Sequence, residues 1–164
     1  MQPDEVAEVM ADPIAQELLQ SAIPARLAYM ARDGSPRAIP IAFHWNGLKI
    51  VLGTVPKSAK VRALQQYPQV ALTVDTESQP PHVLMVRGTA AVQLVDGVFD
   101  DYLAGSRKLI APDQWDDFEA QVRGLYKQMA RIEITPTWAK VLDFVTRAPS
   151  AVMELAEQAQ SPRS

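Results

Sequence analysis

The amino-acid sequence predicts an α+β domain built on an antiparallel barrel, and three observations carry that reading. Short apolar runs recur between tight turns, no strand–helix–strand alternation joins them, and no glycine-rich phosphate loop is present. With 164 residues, 48% of them hydrophobic and 21% charged, the chain has the apolar content to bury a full core as a single domain, 1–164. Within it, residues 1–24 read as N-terminal helices, 25–147 as the barrel core and 148–164 as a C-terminal tail.

Taken in order, Val6, Val9, Met10, Ile14, Leu18 and Leu19 recur at helical spacing, interrupted at Asp12-Pro13, where Asp12 is suited to cap a second helix and Pro13 to open it. The period then shortens. Arg26–Arg32 is a strand, Asp33-Gly34 a turn, and Ala38–Phe43 a strand that Pro40 confines to an edge. Asn46-Gly47 marks a second hairpin turn before Lys49–Leu52, so the segment reads as an antiparallel meander. Ser58–Gln66 is a short helix and Gln69–Val74 a strand. The run from His82 to Val95 is long for a strand, and Gly88 in its middle marks a bulge or bend. Trp115, Phe118, Val122, Leu125, Tyr126 and Met129 form the apolar stripe of a helix spanning Asp113–Met129, with acids at its start and Arg123, Lys127 and Arg131 towards its end. Two strands, Ala130–Ile134 and Trp138–Phe144, are separated at Thr135-Pro136. A short helix over Val152–Gln158 ends the pattern.

Composition narrows the chemistry. The absence of cysteine excludes disulfides, thiolate nucleophiles and cysteine-ligated metals, and two histidines, His44 and His82, supply no metal cage. A net charge of −3 argues against a nucleic-acid partner. No apolar run reaches the ~20 residues that cross a bilayer, and no secretory signal opens the chain, so a cytoplasmic protein without membrane contact is expected.

The informative feature is local. No acid occurs between Asp33 and Asp75, yet Arg37, Lys49, Lys57, Lys60 and Arg62 all fall there. Lys57, Lys60 and Arg62 cluster around the start of the Ser58 helix, where the backbone already presents partial positive charge and free N–H donors. Two readings fit. One is a solvated, basic surface helix; the other is a cradle in which free backbone donors, hydroxyls and cations receive a phosphate-like anion.

The ordered set Arg32-Asp-Gly-Ser-Pro-Arg37, Pro40, Trp45-Asn-Gly47, Thr54, Ser58, Lys60, Leu64 and Tyr67-Pro68 resembles the pyridoxamine 5'-phosphate oxidase-like, flavin-binding split-barrel superfamily. The closing Arg131–Trp138 with Val141–Phe144 resembles its flavin/deazaflavin oxidoreductase branch. The resemblance implies a six-stranded antiparallel split barrel with flanking helices, a homodimer, and FMN in a groove between the subunits. The deazaflavin coenzyme F420, haem and bilins, used by relatives, are the alternatives. It places Ser58 and Lys60 on the flavin phosphate, with Thr54 beside it and Val55 and Lys57 in the same loop. Arg37 would reach the ribityl chain or phosphate, and Phe144 lies near the position where the oxidase has a cofactor-binding Trp contributed by the second subunit. Ala59 occupies a position where the oxidases carry Arg, and Ala42 or Phe43 one where they carry Lys, which argues against oxidation of pyridoxamine phosphate itself.

Among the remaining candidates, Arg87 beside Gly88 either lines the groove or extends along a barrel rim. His44 and Trp45 either edge the groove or pack as a hairpin-end pair, and His82 is either a solvated strand-start residue or a haem ligand. No side chain is marked as catalytic. The expected function is therefore a flavin- or deazaflavin-dependent oxidoreductase moving a hydride to or from a small-molecule substrate, or a non-catalytic flavin, haem or bilin carrier.

Overall fold

The structure is a computed structural model that describes residues 1–160. Residues 161–164 of the expected tail lie outside the described residues. Two helices open the chain, α1 (Pro3–Ala11) and α2 (Pro13–Gln20), each with proline in its first turn. Asp12 divides them, its Oδ1 accepting the Ile14 N–H at 2.9 Å as the sequence anticipates. Val6, Met10, Leu18 and Leu19 bury themselves in the main core.

The strands are β1 (Ala25–Met30), β2 (Pro36–Ile41), β3 (His44–Trp45), β4 (Ile50–Thr54), β5 (Gln69–Asp75), β6 (Val83–Asp96) and β7 (Gln128–Leu142). They form one open seven-stranded sheet in the order β2-β1-β5-β6-β7-β4-β3, antiparallel throughout, consistent with a split barrel. Pro40 lies on the edge strand β2, where its missing N–H costs no ladder bond. The expected meander is not formed: β1–β2 and β3–β4 are separate hairpins at opposite ends of the sheet. The reason lies in Ala42-Phe43, which link them, since Phe43 leaves the strand path to bury its ring in the core.

Another correction concerns the last strand. Thr135-Pro136 does not divide it; β7 is continuous over Gln128–Leu142 and pairs with β6 along its length. Arg87 faces Trp138 and Gly88 faces Pro136, so Thr137 is an extra residue on β7. The extra residue has a packing purpose. Ile132 and Ile134 point into the core before it and Ala139 and Val141 after it, a change of parity that one inserted residue supplies. Gly88 itself permits the close approach, because a Cβ there would lie 2.5 Å from the Thr135 carbonyl oxygen.

Two helical readings also change. The helix expected over Asp113–Met129 is α5 (Trp115–Leu125), preceded by a single 3-10 turn at Pro112–Gln114; α4 (Asp100–Arg107) was not anticipated. Met129 continues the apolar spacing of α5 but is buried in β7, where it pairs with Val95 and has the opposite parity to Ala130, Ile132 and Ile134. Lys127 and Arg131 accordingly leave the helix end. Trp115 and Val122 pack with Leu103 of α4 in a second, smaller cluster. Between β4 and β5 lies α3 (Ala59–Gln66), and α6 (Ser150–Gln160) ends the described chain.

Two ion networks fasten these parts. Arg131 on β7 holds Asp101 of α4 and Glu133, which in turn takes Lys49 at 2.8 Å. At the far end of β7, Asp143 accepts the backbone N–H groups of Val145, Thr146 and Arg147 and the Thr146 hydroxyl, while Arg147 reaches Asp12. The Thr146 hydroxyl and these N–H groups hold the Asp143 carboxyl well below the usual carboxylate range.

Two outcomes follow from this architecture. Gly88→Ala is expected to cost about 1–3 kcal/mol in chemical denaturation, the scale of overpacking against backbone; an unchanged midpoint rejects the close approach. A depressed native pKa stabilises above the unfolded value, about 4, and that stabilisation is lost as pH falls below it. Asp143→Asn should therefore flatten the acid limb of the pH–Tm profile, read by circular dichroism.

Candidate functional site

The segment that the charge pattern singles out is the loop from Thr54, the last residue of β4, to Ser58, which precedes α3. Ser58 occupies the helix-cap position, but its hydroxyl makes no cap bond to the helix backbone. It accepts instead from the Lys60 ammonium at 3.2 Å, and Thr54 Oγ1 accepts from the same ammonium at 3.3 Å. Lys60 is half-buried, and among the described residues it enters no ion pair. Burial alone lowers its pKa. The site is thus a partly desolvated cation beside two hydroxyls at the start of a helix, drawn from a segment free of acids. That donor set fits a phosphate monoester. Val55 and Lys57, in the same loop, are exposed to solvent.

Arg37 is not part of the hydroxyl cluster. It projects from β2, with Asp33 3.6 Å away, and with Tyr29 it lines two adjoining cavities. The smaller, about 270 Å³, runs to Ala59 and Arg62 on α3 and so approaches the Lys60 loop. The larger, about 600 Å³, runs across the outer face of the sheet past Met30, Tyr67 and Ala71 to Arg87. Arg87 lies with its guanidinium 4.1 Å over the Trp138 ring. The path from Arg87 runs over the largely apolar wall of the larger cavity to Arg37 and then past Arg32 and Asp33 to Arg62 on α3, within the size range of cofactor pockets.

Phe144 lines neither cavity. It lies beyond β7 in the Asp143–Arg147 turn with a φ of 56°. His44 Nε2 is 3.8 Å from Asp101, and His82 Nδ1 is 3.8 Å from Glu17, so each faces a carboxylate of the body. Trp45 borders a separate cavity of about 390 Å³ with His44, Arg107 and Lys108. Lys108 sits 3.7 Å above the Phe43 ring and donates to the Leu19 carbonyl; burial lowers its pKa to about 8. No sequence pattern marked Lys108, or Tyr29 and Tyr67 in the cavity walls, since Lys108 lies in the unanticipated α4 region. Tyr67-Pro68 was visible only as a helix stop.

The structure thus sets a partly buried cation without a carboxylate partner at a helix start on an open antiparallel split barrel. Comparison with known families agrees. Residues 11–142 match the model of the pyridoxamine 5'-phosphate oxidase family, and the chain belongs to it. No curated protein matches the chain. Among solved structures, an F420 reductase is 22% identical, with 76% of this chain and 94% of that one aligned at a TM-score of 0.54. General Stress Protein 26 from Bacillus anthracis is 14% identical over 82% and 95% of the two chains, TM-score 0.59. HutZ, a haem storage protein from Vibrio cholerae, is 14% identical over 79% and 93%, TM-score 0.57. At these identities the structural likeness speaks for the fold. No helix among the described residues is long and apolar enough to cross a membrane.

A ligand role for Lys60 has a consequence in the protein without ligand. Burial disfavours its ammonium, so at neutral pH the group contributes adversely to stability, a burden that eases as pH rises towards the unfolded pKa. Lys60→Met is expected to leave the Tm of the ligand-free protein equal or higher by differential scanning fluorimetry; a fall assigns Lys60 to holding the loop.

Proposed function

We propose that the protein is an oxidoreductase that binds FMN with its phosphate on Thr54, Ser58 and Lys60. One observation carries the reading: a half-buried ammonium with two hydroxyl neighbours and no carboxylate. Val55 and Lys57 flank the phosphate, Arg37 bridges the two cavities towards the ribityl chain, and Arg87 closes the far end of the groove. Two copies of the chain form the cofactor groove between them, Phe144 being contributed by the second. Coenzyme F420 is the alternative occupant, supported by the fold shared with an F420 reductase.

When bound, such a cofactor supplies hydride transfer to or from a small apolar substrate. The chain's own task is to anchor the anionic end, shape an apolar bed from Ala28, Met30 and Ala71, and exclude water. Neither cavity wall contains histidine, and the one carboxylate, Asp33, is engaged by Ser35 and Arg37. That suits a reaction in which no side chain exchanges a proton with substrate. It equally suits a non-catalytic carrier, and the fold shared with a haem storage protein supports this second reading.

Absorbance and titration separate the readings. The protein purified or titrated with FMN is expected to show flavin bands and to turn over with a reduced nicotinamide donor; a Soret band on adding haem, with no flavin binding, selects the carrier. Lys60→Ala should weaken FMN by about 1–3 kcal/mol, some 5- to 150-fold in Kd, the scale of a charge-assisted hydrogen bond. An unchanged Kd in a folded variant moves the phosphate elsewhere.

A further inference from the structure

Helix α4 is seated through a glycine. A Cβ at Gly105 would lie 2.8 Å from the Phe43 carbonyl oxygen, so the helix backbone rests directly on the chain entering β3. The neighbouring Ala104 fills little of the space beside that contact. What remains is the cavity of about 390 Å³ between α4, β3 and the end of α2, with Leu19, Trp45 and Ala104 as its apolar wall. That volume suits a small organic molecule. It lies beside the Trp45–Ile50 pair, at the opposite end of β4 from Thr54, about 13 Å along the strand. The site is therefore separate from the Lys60 loop and independent of the cofactor proposed there.

Lys108 is the unusual member of this wall. Half-buried, it donates to the Leu19 carbonyl at 2.9 Å and sits 3.7 Å above the Phe43 ring. Among the described residues it has no ion pair. Asp101, two turns earlier on the same helix, faces His44 at 3.8 Å and binds Arg131 at 2.8 Å. The adjacent Arg107 adds a second positive charge, its guanidinium over Trp115, and Glu119 near it is already bonded to Trp115 and Arg123. Burial lowers the Lys108 pKa to about 8, which leaves about a tenth of the amine neutral at pH 7. The Leu19 carbonyl accepts from a neutral amine as it does from an ammonium, so loss of the proton leaves the side chain in place. A desolvated lysine beside another cation is the setting in which this side chain becomes a nucleophile.

We infer that Lys108 captures a small aromatic aldehyde or ketone in this cavity as a Schiff base, with the flat body of the ligand against Leu19, Trp45 and Ala104. The Nζ lone pair attacks the carbonyl carbon. Both protons of the neutral amine leave with the carbonyl oxygen as water, and a C=N bond replaces C=O. No oxidant or reductant is consumed. A bound anion fits less well, because the cavity lies at the C-terminal ends of α2 and α4, where the helix dipoles are negative.

Salicylaldehyde with cyanoborohydride at pH 7 tests the site, since reduction fixes whatever imine forms. In the native chain the adduct, mapped by digestion and mass spectrometry, is expected on Lys108 about tenfold or more above the exposed Lys57. Ala104→Leu fills the cavity and should cut the Lys108 adduct about fivefold or more while leaving Lys57 unchanged, with an unaltered Tm showing that the variant folds. Labelling of native Lys108 no greater than that of Lys57 overturns the inference without any variant. An undiminished Lys108 adduct in folded Ala104→Leu overturns it too, because the amine then reacts from outside the cavity. Either failure leaves the FMN titration untouched.

Discussion

The β6–β7 ladder is the constraint on which the rest of the fold depends. These are the longest strands, 14 and 15 residues, and every other strand attaches to one side or the other of this pair, directly or through a neighbour. A ladder of that length cannot stay flat and still present one apolar face to a curved core. The approach of Gly88 to Thr135, with the inserted Thr137, resolves the conflict by bending the pair and shifting the parity of β7. The same bend brings Arg87 onto Trp138, and so one end of the basic groove is a by-product of how the barrel turns.

Lys60 presents the opposite economy. Two other half-buried cations are paired with carboxylates, Arg131 with Asp101 and Glu133 and Lys49 with Glu133, whereas Lys108 rests on the Phe43 ring and the Leu19 carbonyl. Keeping an ammonium partly out of water without a counter-charge is unfavourable. The acid-free stretch ensures that no local carboxylate relieves it, leaving the Ser58 and Thr54 hydroxyls as its neighbours. At Lys60 this is a local conflict that an anion on the two hydroxyls and the ammonium would remove.

Much of this was legible in the sequence because the signals were local. Asp12-Pro13, the Asn46-Gly47 turn, the edge position of Pro40 and the basic cluster at α3 all follow from backbone sterics and charge placement within a few residues. What escaped depended on distant partners. The continuity of β7 through Pro136 rests on the matching gap in side-chain volume at Gly88, many residues away. Helix α4 carries Gly105 and Ser106, poor helix formers, and forms because a Cβ at Gly105 would strike the Phe43 carbonyl, so its backbone packs there directly. The cavity walls formed by Tyr29 and Tyr67 likewise arise only when β1 and the end of α3 come together, an association no local pattern encodes.

The position of β7 bears on how the polypeptide matures. Among the described strands it is the last made, yet it is inserted between β6 and β4, so the β3–β4 hairpin has no sheet to join until residues 130–134 are available. On the ribosome the nascent chain therefore waits with two unsatisfied strand edges, and the molecule closes in one late step rather than growing outwards from its N-terminus. A stalled or prematurely terminated product lacks the centre of its sheet rather than its margin, which makes such fragments natural targets for chaperones and proteases.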